Sequence, residues 1–311
     1  MKEKILVTGS SGFVGGNLIS YLKRKSNYEI YKVSRTIKES HVFNYEELNE
    51  NIFNKCFAII HLAGKAHDLK NVSKPEEYFE VNTDLTIKLF DVFLKSNSKF
   101  FIYVSSVKAS RDFIDEILTE EHLPEPTTIY GKSKLAAEKY ILSKKIPPNK
   151  KVYILRPCMI HGPNNKGNLN LLYNFVDKKI PYPLGKYSNL RSFLSIDNFC
   201  YLVDKMLKSD IDSGIYNVSD DRALSTIELV SLIGDEINKP AVIIKTPKVL
   251  LNVVARIGDV FSLPINSERL SKLTENYIVS NRKIKKALSL KALPLSAELG
   301  MRKTINSFKK E

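Results

Sequence analysis

The chain has 311 residues, 43% of them hydrophobic, enough to bury a large core in one big domain or two closely joined ones. No apolar run approaches the roughly 20 residues that cross a bilayer, and Met1-Lys2-Glu3-Lys4 leads into a strand pattern instead of a signal peptide, so a cytoplasmic protein without a membrane partner is expected. The net charge of +14 comes from lysines spread along the chain, with no zinc-finger, KH or RRM signature, which argues against nucleic acid and for a basic surface that suits phosphorylated small molecules.

In chain order, Ile5-Leu6-Val7-Thr8 reads as a strand that halts at Gly9 and gives way to a helix over about 12–25, with Phe13, Leu18, Ile19 and Leu22 apolar. Gly9, Gly12 and Gly15 sit at the junction. That layout permits a tight turn, close backbone approach to a pyrophosphate and helix packing on the strand, with free N–H groups facing the anion. The next strand, about 30–34, ends in Val33-Ser34-Arg35-Thr36, with no carboxylate before Glu39. An acid there would hold an adenosine ribose, whereas Arg35, with Ser34 beside it, suits a 2′-phosphate and favours NADP(H) over NAD(H).

Further strands are expected over 57–62, 100–105 and 152–155, and helices over about 75–95 and 128–144. Alternation of this kind specifies βαβ units and a parallel sheet whose ligands lie at the carboxyl ends of its strands. The expected fold class is α/β, a Rossmann-type doubly wound parallel sheet with a smaller C-terminal α/β substrate domain. The dinucleotide-binding part is assigned to 1–160 plus about 193–220, and the substrate part to about 161–192 with 221–311. In the less regular second half, Ser225-Thr226-Ile227-Glu228 is a capping box opening a helix to about 238. Cys56, Cys158 and Cys200 are odd in number, far apart and set among apolar residues, which reads as core thiols and not as disulfides or a metal site.

A tyrosine with a lysine four residues on places phenol and ammonium on one helix face, where the cation would lower the phenol pKa and make a usable acid or base. The spacing occurs at Tyr21, Tyr28, Tyr130, Tyr140, Tyr182 and Tyr201, so alone it selects nothing. Context selects Tyr130 with Lys134. Their segment starts a helix, and Ser105-Ser106 ends a central strand, so both reach the edge where the glycine turn lies.

Thr8-Gly9-x-x-Gly12-x-x-Gly15, His61-Leu62-Ala63-Gly64, Asn82, Ser105-Ser106, Tyr130-x-x-x-Lys134, Leu155-Arg156-Pro157, Gly162-Pro163, Arg191-Ser192-Phe193 and Tyr216-Asn217-Val218 follow in this order. In this the chain resembles the extended short-chain dehydrogenases/reductases, the NAD-dependent epimerase/dehydratase family, over nearly its whole length. The resemblance implies an enzyme with a Rossmann domain for the cofactor and a C-terminal domain for a sugar nucleotide, commonly a UDP-sugar. It implies catalytic roles for Ser106, Tyr130 and Lys134: Ser106 hydrogen-bonds the reacting oxygen, Tyr130 moves the proton, and Lys134 grips the nicotinamide ribose. The implied cofactor contacts are Thr8, Gly9, Gly12, Phe13, Val14, Gly15, Ser34, Arg35, Leu62, Ala63, Gly64, Tyr130, Lys134 and Pro157. Those to substrate are Ser106, Lys108, Asn168, Arg191 and Arg269, the two arginines on the diphosphate.

Departures from the family pattern narrow the chemistry. The related 4,6-dehydratases carry an Asp-Glu pair where this chain has Val107-Lys108, and elimination needs that acid. The 4-epimerases usually show Ser-x-x-Val-Tyr-Gly and an acid at the position of Arg35. The segment Ser105–Lys108, with Lys166-Gly167-Asn168, Pro183-Leu184-Gly185 and 191–198, looks most like 4-ketoreductases making UDP-N-acetyl-6-deoxyhexosamines, nearest the UDP-N-acetylquinovosamine type. The implied activity is NADP(H)-dependent reduction of the C4 keto group of a UDP-4-keto-6-deoxy-N-acetylhexosamine in surface-polysaccharide precursor synthesis. A UDP-sugar 4-epimerase and a non-catalytic NADP(H)-sensing regulator stay open, as does a homodimer. His61, His67, His122 and His161 have no ligand spacing and read as packing or pocket lining. Asn82 reads as polar support for the active-site strand or as a solvated helix face, and Lys108 as a substrate contact or an exposed side chain.

Overall fold

The computed structural model describes every residue except 1, 26, 35–40, 67–73, 164, 166–167, 261–265 and 310–311, and leaves out the side chains of 168, 260, 268, 269 and 272. Six strands follow in chain order: β1 (Glu3–Thr8), β2 (Tyr28–Val33), β3 (Val42–Phe43), β4 (Ala58–His61), β5 (Phe100–Val104) and β6 (Lys151–Pro157). With the strand Gly214–Val218 they form one seven-stranded sheet ordered Gly214–Val218, β6, β5, β4, β1, β2, β3, every neighbouring pair parallel. The order reverses between β1 and β4, the switch point at which such sheets open a crevice for ligand. This is the doubly wound α/β fold read from the alternating pattern. The strands 42–43 and 214–218 are additions to that reading.

Side chains alternate across the sheet and build two cores. Ile5, Val7, Ile30, Ile60, Ile102 and Leu155 face the helices Phe13–Arg24 and Ile196–Leu207, which contribute Leu18, Leu22, Phe199 and Val203. Leu6, Val33, Ile59, Phe101 and Ile154 face the other way, onto Leu89, Phe90 and Phe93 of the helix Leu85–Lys95 and Ala137 and Ile141 of the helix Ile129–Ser143. A third cluster gathers Leu169, Val176, Leu224, Ile233, Met301 and Ile305 from the second half. There the expected capping box forms: Ser225 Oγ accepts from the Glu228 N–H at 3.0 Å while Glu228 accepts from the Ser225 N–H at 2.7 Å, opening the helix Thr226–Glu236.

All three cysteines are buried and free of disulfides. Among the described residues no helix is long and apolar enough to cross a membrane.

Candidate active site

Thr8 ends β1 at the carboxyl edge, and the turn after it is shaped by its glycines. Gly9 takes a φ of 66°, and a Cβ on Gly15 would stand 2.2 Å from the Gly9 carbonyl oxygen, so the helix Phe13–Arg24 packs on the turn at a distance only glycine permits. Gly12 caps that helix without a side-chain hydrogen bond, and its first turn holds no acid. Its leading N–H groups therefore face outward for an anion, the donor arrangement a pyrophosphate requires. Residues from neighbouring strand ends close around the turn: Ala63 N–H donates to Thr8 Oγ1 at 3.2 Å, Ser10 Oγ donates to the Val33 carbonyl at 2.8 Å, and Gly9 N–H donates to the Tyr45 hydroxyl at 3.3 Å. Ser34 is buried at the end of β2, Leu62 and Ala63 follow β4, Pro157 ends β6, and Phe13 and Val14 open the helix. These residues fit the dinucleotide. Arg35 lies outside the described residues, as do the side chains of Asn168 and Arg269.

Ser106 and Tyr130 meet at the same edge. Ser106 follows β5 and caps a short 3₁₀ turn, Val107–Ala109, through its hydroxyl. Tyr130 lies in the first turn of the helix Ile129–Ser143, and that helix leans on the 3₁₀ turn so closely that a Cβ on Gly131 would stand 2.3 Å from the Lys108 carbonyl oxygen. The dipeptide Tyr130-Gly131 thus carries the phenol and the absence of bulk that brings it to Ser106. The expected lowering of the phenol pKa by Lys134 is not what the site shows. Burial raises the Tyr130 phenol, and the neighbouring Ser106 hydroxyl draws it only partly back. Lys134 points instead at the end of β5, donating from Nζ to the Val104 carbonyl at 3.0 Å above the Tyr103 ring, 4.9 Å from its centroid. Three of the other five pairs, Tyr21 with Lys25, Tyr140 with Lys144 and Tyr201 with Lys205, make local cation–π contacts.

Burial pulls the Lys134 ammonium down to about 8, against an upward pull from Glu138 one helical turn away. Activity that needs this cation should fall as pH rises through about 8. Unfolding would not be the cause. The unfolded lysine titrates near 10.5, so between about 8 and 10.5 the unfolded chain holds the extra proton and this group's contribution to stability rises with pH. A pH–rate profile beside a pH series of thermal unfolding checks both signs, and an alkaline limb accompanied by unfolding would refute the account.

Asn82 is fully buried and ties the site together, which excludes the solvated-face reading. Its Oδ1 accepts from the Lys65 N–H at 2.7 Å, and its Nδ2 donates to the Lys65 carbonyl at 3.0 Å and to Ser133 Oγ at 2.9 Å. The support reaches the loop after β4 and the Tyr130 helix. Asn82 sits in a π-helical turn, Glu80–Asp84, inserted between the helices Pro75–Phe79 and Leu85–Lys95. The sequence pattern read that stretch as one continuous helix. His61 is buried against Thr8 and Thr86, at 2.7 and 2.9 Å, and burial drives its pKa down to about 3, so it packs as a neutral ring.

The face toward the second half is cationic. Lys108 Nζ donates to the Asp112 carbonyl at 2.7 Å and stands 4.7 Å from the Tyr277 ring centroid. Burial and the neighbouring Arg191 charge lower the Lys108 pKa, opposed by Asp112, and burial also lowers Arg191. Tyr277 lies opposite Arg191 in an isolated bridge, and its hydroxyl donates to the Arg111 carbonyl at 2.6 Å. The buried Asp112 accepts from the N–H and hydroxyl of Thr127, at 2.8 and 2.9 Å, and from the Thr128 N–H at 3.0 Å. Burial alone would raise this carboxyl, but those hydrogen bonds and the Lys108 charge hold it below the ordinary range. Asp112 therefore anchors the start of the Tyr130 helix. Sequence reasoning passed over Asp112 and Tyr277; the pair Thr127-Thr128 ahead of the helix was the one local signal for the first, and Tyr277 had none.

Behind the site, Glu138 receives Arg156 through Nε at 3.0 Å and Nη2 at 2.5 Å, and Ser105 Oγ donates to the same carboxylate. Both charged side chains are 1% exposed. His161 is buried with Nδ1 2.9 Å from Thr304 Oγ1, and His122 sits against Thr119, both structural placements; His67 lies outside the described residues.

Comparison with known proteins supplies the family and the fold. A UDP-glucose 4-epimerase of Vibrio cholerae is 29% identical over 99% of this chain and 96% of its own length. A UDP-2-acetamido-2,6-beta-L-arabino-hexul-4-ose reductase of Pseudomonas aeruginosa is 28% identical over 68% of this chain and 51% of its own. The solved structure of RMD from Pseudomonas aeruginosa complexed with NADPH shares the fold, with a TM-score of 0.74 at 20% identity over the full length of both chains. The family model for the NAD dependent epimerase/dehydratase family matches residues 5–219, most of the chain and all the strand ends just described, and the protein belongs to that family.

Proposed function

We propose that the protein reduces the C4 ketone of a UDP-4-keto-6-deoxy-N-acetylhexosamine with NADPH. The observation that carries this reading is the close approach of the Tyr130 helix to the 3₁₀ turn capped by Ser106, which sets the two hydroxyl residues at one sheet edge directly before Val107 and Lys108, where a dehydratase would need carboxylic acids. When bound, the cofactor supplies a hydride to C4. Tyr130 donates its phenolic proton to the ketone oxygen as charge develops there, and Ser106 hydrogen-bonds that oxygen, so the ketone leaves as an alcohol. A phenol raised by burial keeps its proton until that charge appears, which suits an acid. Lys134 holds the nicotinamide ribose. Lys108 and Arg191 are two partly buried cations, the Arg191 charge helping burial to lower the Lys108 ammonium, and a diphosphate at this face would offset both charges. Arg269 and Asn168 complete the substrate side, and Arg35 with Ser34 would receive the 2′-phosphate.

A second reading, a UDP-sugar 4-epimerase, is favoured by the whole-length likeness to the Vibrio cholerae enzyme. One experiment separates them. Purified protein should oxidise NADPH in step with consumption of the UDP-4-keto sugar, and NADH should serve less well. Interconversion of UDP-glucose or UDP-N-acetylglucosamine epimers without added cofactor and without net NADPH loss would overturn the reductase reading.

A further inference from the structure

The helix Lys248–Val260 buries one face and leaves a second apolar face bare. Ala255 and Gly258 are buried and Leu251 is half-buried against the third core cluster. Val249, Leu250, Val253, Val254 and Ile257 are between 41% and 75% exposed. At about 100° per residue these five fall within an arc of roughly 140° beside the buried face. Leading into the helix, the extended segment bridged to Tyr182 and Leu184 exposes Val242 and Ile244 as well. The charges beside this arc are Lys245, just before the helix, and Arg256, whereas Lys248 lies on the opposite side with its ammonium 4.9 Å from the Tyr187 ring centroid. Asp259 is the helix's single carboxylate, and both its oxygens accept hydrogen bonds from Ser267.

We propose that this helix lies on the surface of an anionic bilayer, its five apolar side chains at the boundary between headgroups and acyl chains and Lys245 and Arg256 among the lipid phosphates. Charge selects this occupant. The chain carries a net +14, and both charged side chains beside the arc, Lys245 and Arg256, are cations, which complements anionic headgroups. Such docking revises the expectation of a protein with no membrane partner, and it stands apart from the reaction assigned to the site.

The test uses the full chain and vesicles of phosphatidylcholine, with and without phosphatidylglycerol. The protein should co-sediment with the mixed vesicles and bind pure phosphatidylcholine at least about ten-fold more weakly. The double variant Leu250→Glu, Val254→Glu should lose at least about ten-fold of the binding to mixed vesicles while its NADPH binding is unchanged. The chain has no tryptophan, so Val253→Trp supplies a single indole whose emission should shift to the blue on those vesicles. Failure of the wild-type chain to co-sediment, unaltered binding by the double variant, or an indole that stays in water would each overturn the proposal. So would a dimer in light scattering that the double variant converts to monomer, which would give the face to a second copy.

Discussion

Replacing Tyr130 with Phe should lower turnover by about 10²–10⁴-fold, the range for losing a positioned proton donor, while leaving cofactor affinity nearly unchanged. The split follows from how the site is held. The Tyr130 ring stays in the first turn of its helix, fixed by Asp112 through Thr127 and Thr128 and by the close approach at Gly131, none of which uses the hydroxyl. Lys134 is oriented independently by the Val104 carbonyl. What the substitution removes is the phenolic proton beside the Ser106 hydroxyl. Single-turnover NADPH oxidation beside equilibrium cofactor titration measures the two halves. Wild-type rates in the variant would remove Tyr130 from the chemistry, and parallel loss of cofactor binding would assign it a structural role.

The largest effect on stability is expected at Glu138. Substitution by Ala leaves the Arg156 guanidinium in a fully enclosed position, with no carboxylate to answer Nε and Nη2, and should cost about 3–5 kcal/mol. Among the described residues Arg156 Nη1 already lacks a hydrogen-bond partner, so the pair has nothing in reserve. Removing both charges, Glu138→Leu with Arg156→Leu, should cost less than the single change, because an empty ion-pair site filled by apolar groups no longer strands a charge. Denaturant unfolding of Glu138→Ala, of the double variant and of its component singles Glu138→Leu and Arg156→Leu decides it. A double variant as unstable as the sum of its singles would show that the two residues act separately.

Local signals carried most of the sheet and half of the site. The glycine turn was legible because strand, turn and helix follow one another in sequence, and Tyr130 was legible because its helix and the end of β5 share an edge in any parallel sheet. The strands 42–43 and 214–218 were missed for different reasons: the first is two residues long, and the second lies at the outer edge of the sheet with its short apolar run broken at Asn217. Contacts such as Lys108 with Tyr277 and Tyr277 with Arg111 join segments far apart in the chain, so no local pattern announces them. The direction of the phenol shift was misread because spacing alone shows a neighbouring cation, while desolvation and the Val104 carbonyl that diverts Lys134 belong to packing.

The π-helical turn at Glu80–Asp84 acts as a phase shifter. One residue too many per turn rotates everything after it by about a quarter of a circle relative to a straight helix. The segment before the turn can therefore aim Glu77 at Lys65 in the loop beyond β4, while the segment after it aims Leu89, Phe90 and Phe93 at the sheet. A single unbroken rod could satisfy one of those neighbours but not both, and Asn82 occupies the place where the two phases meet.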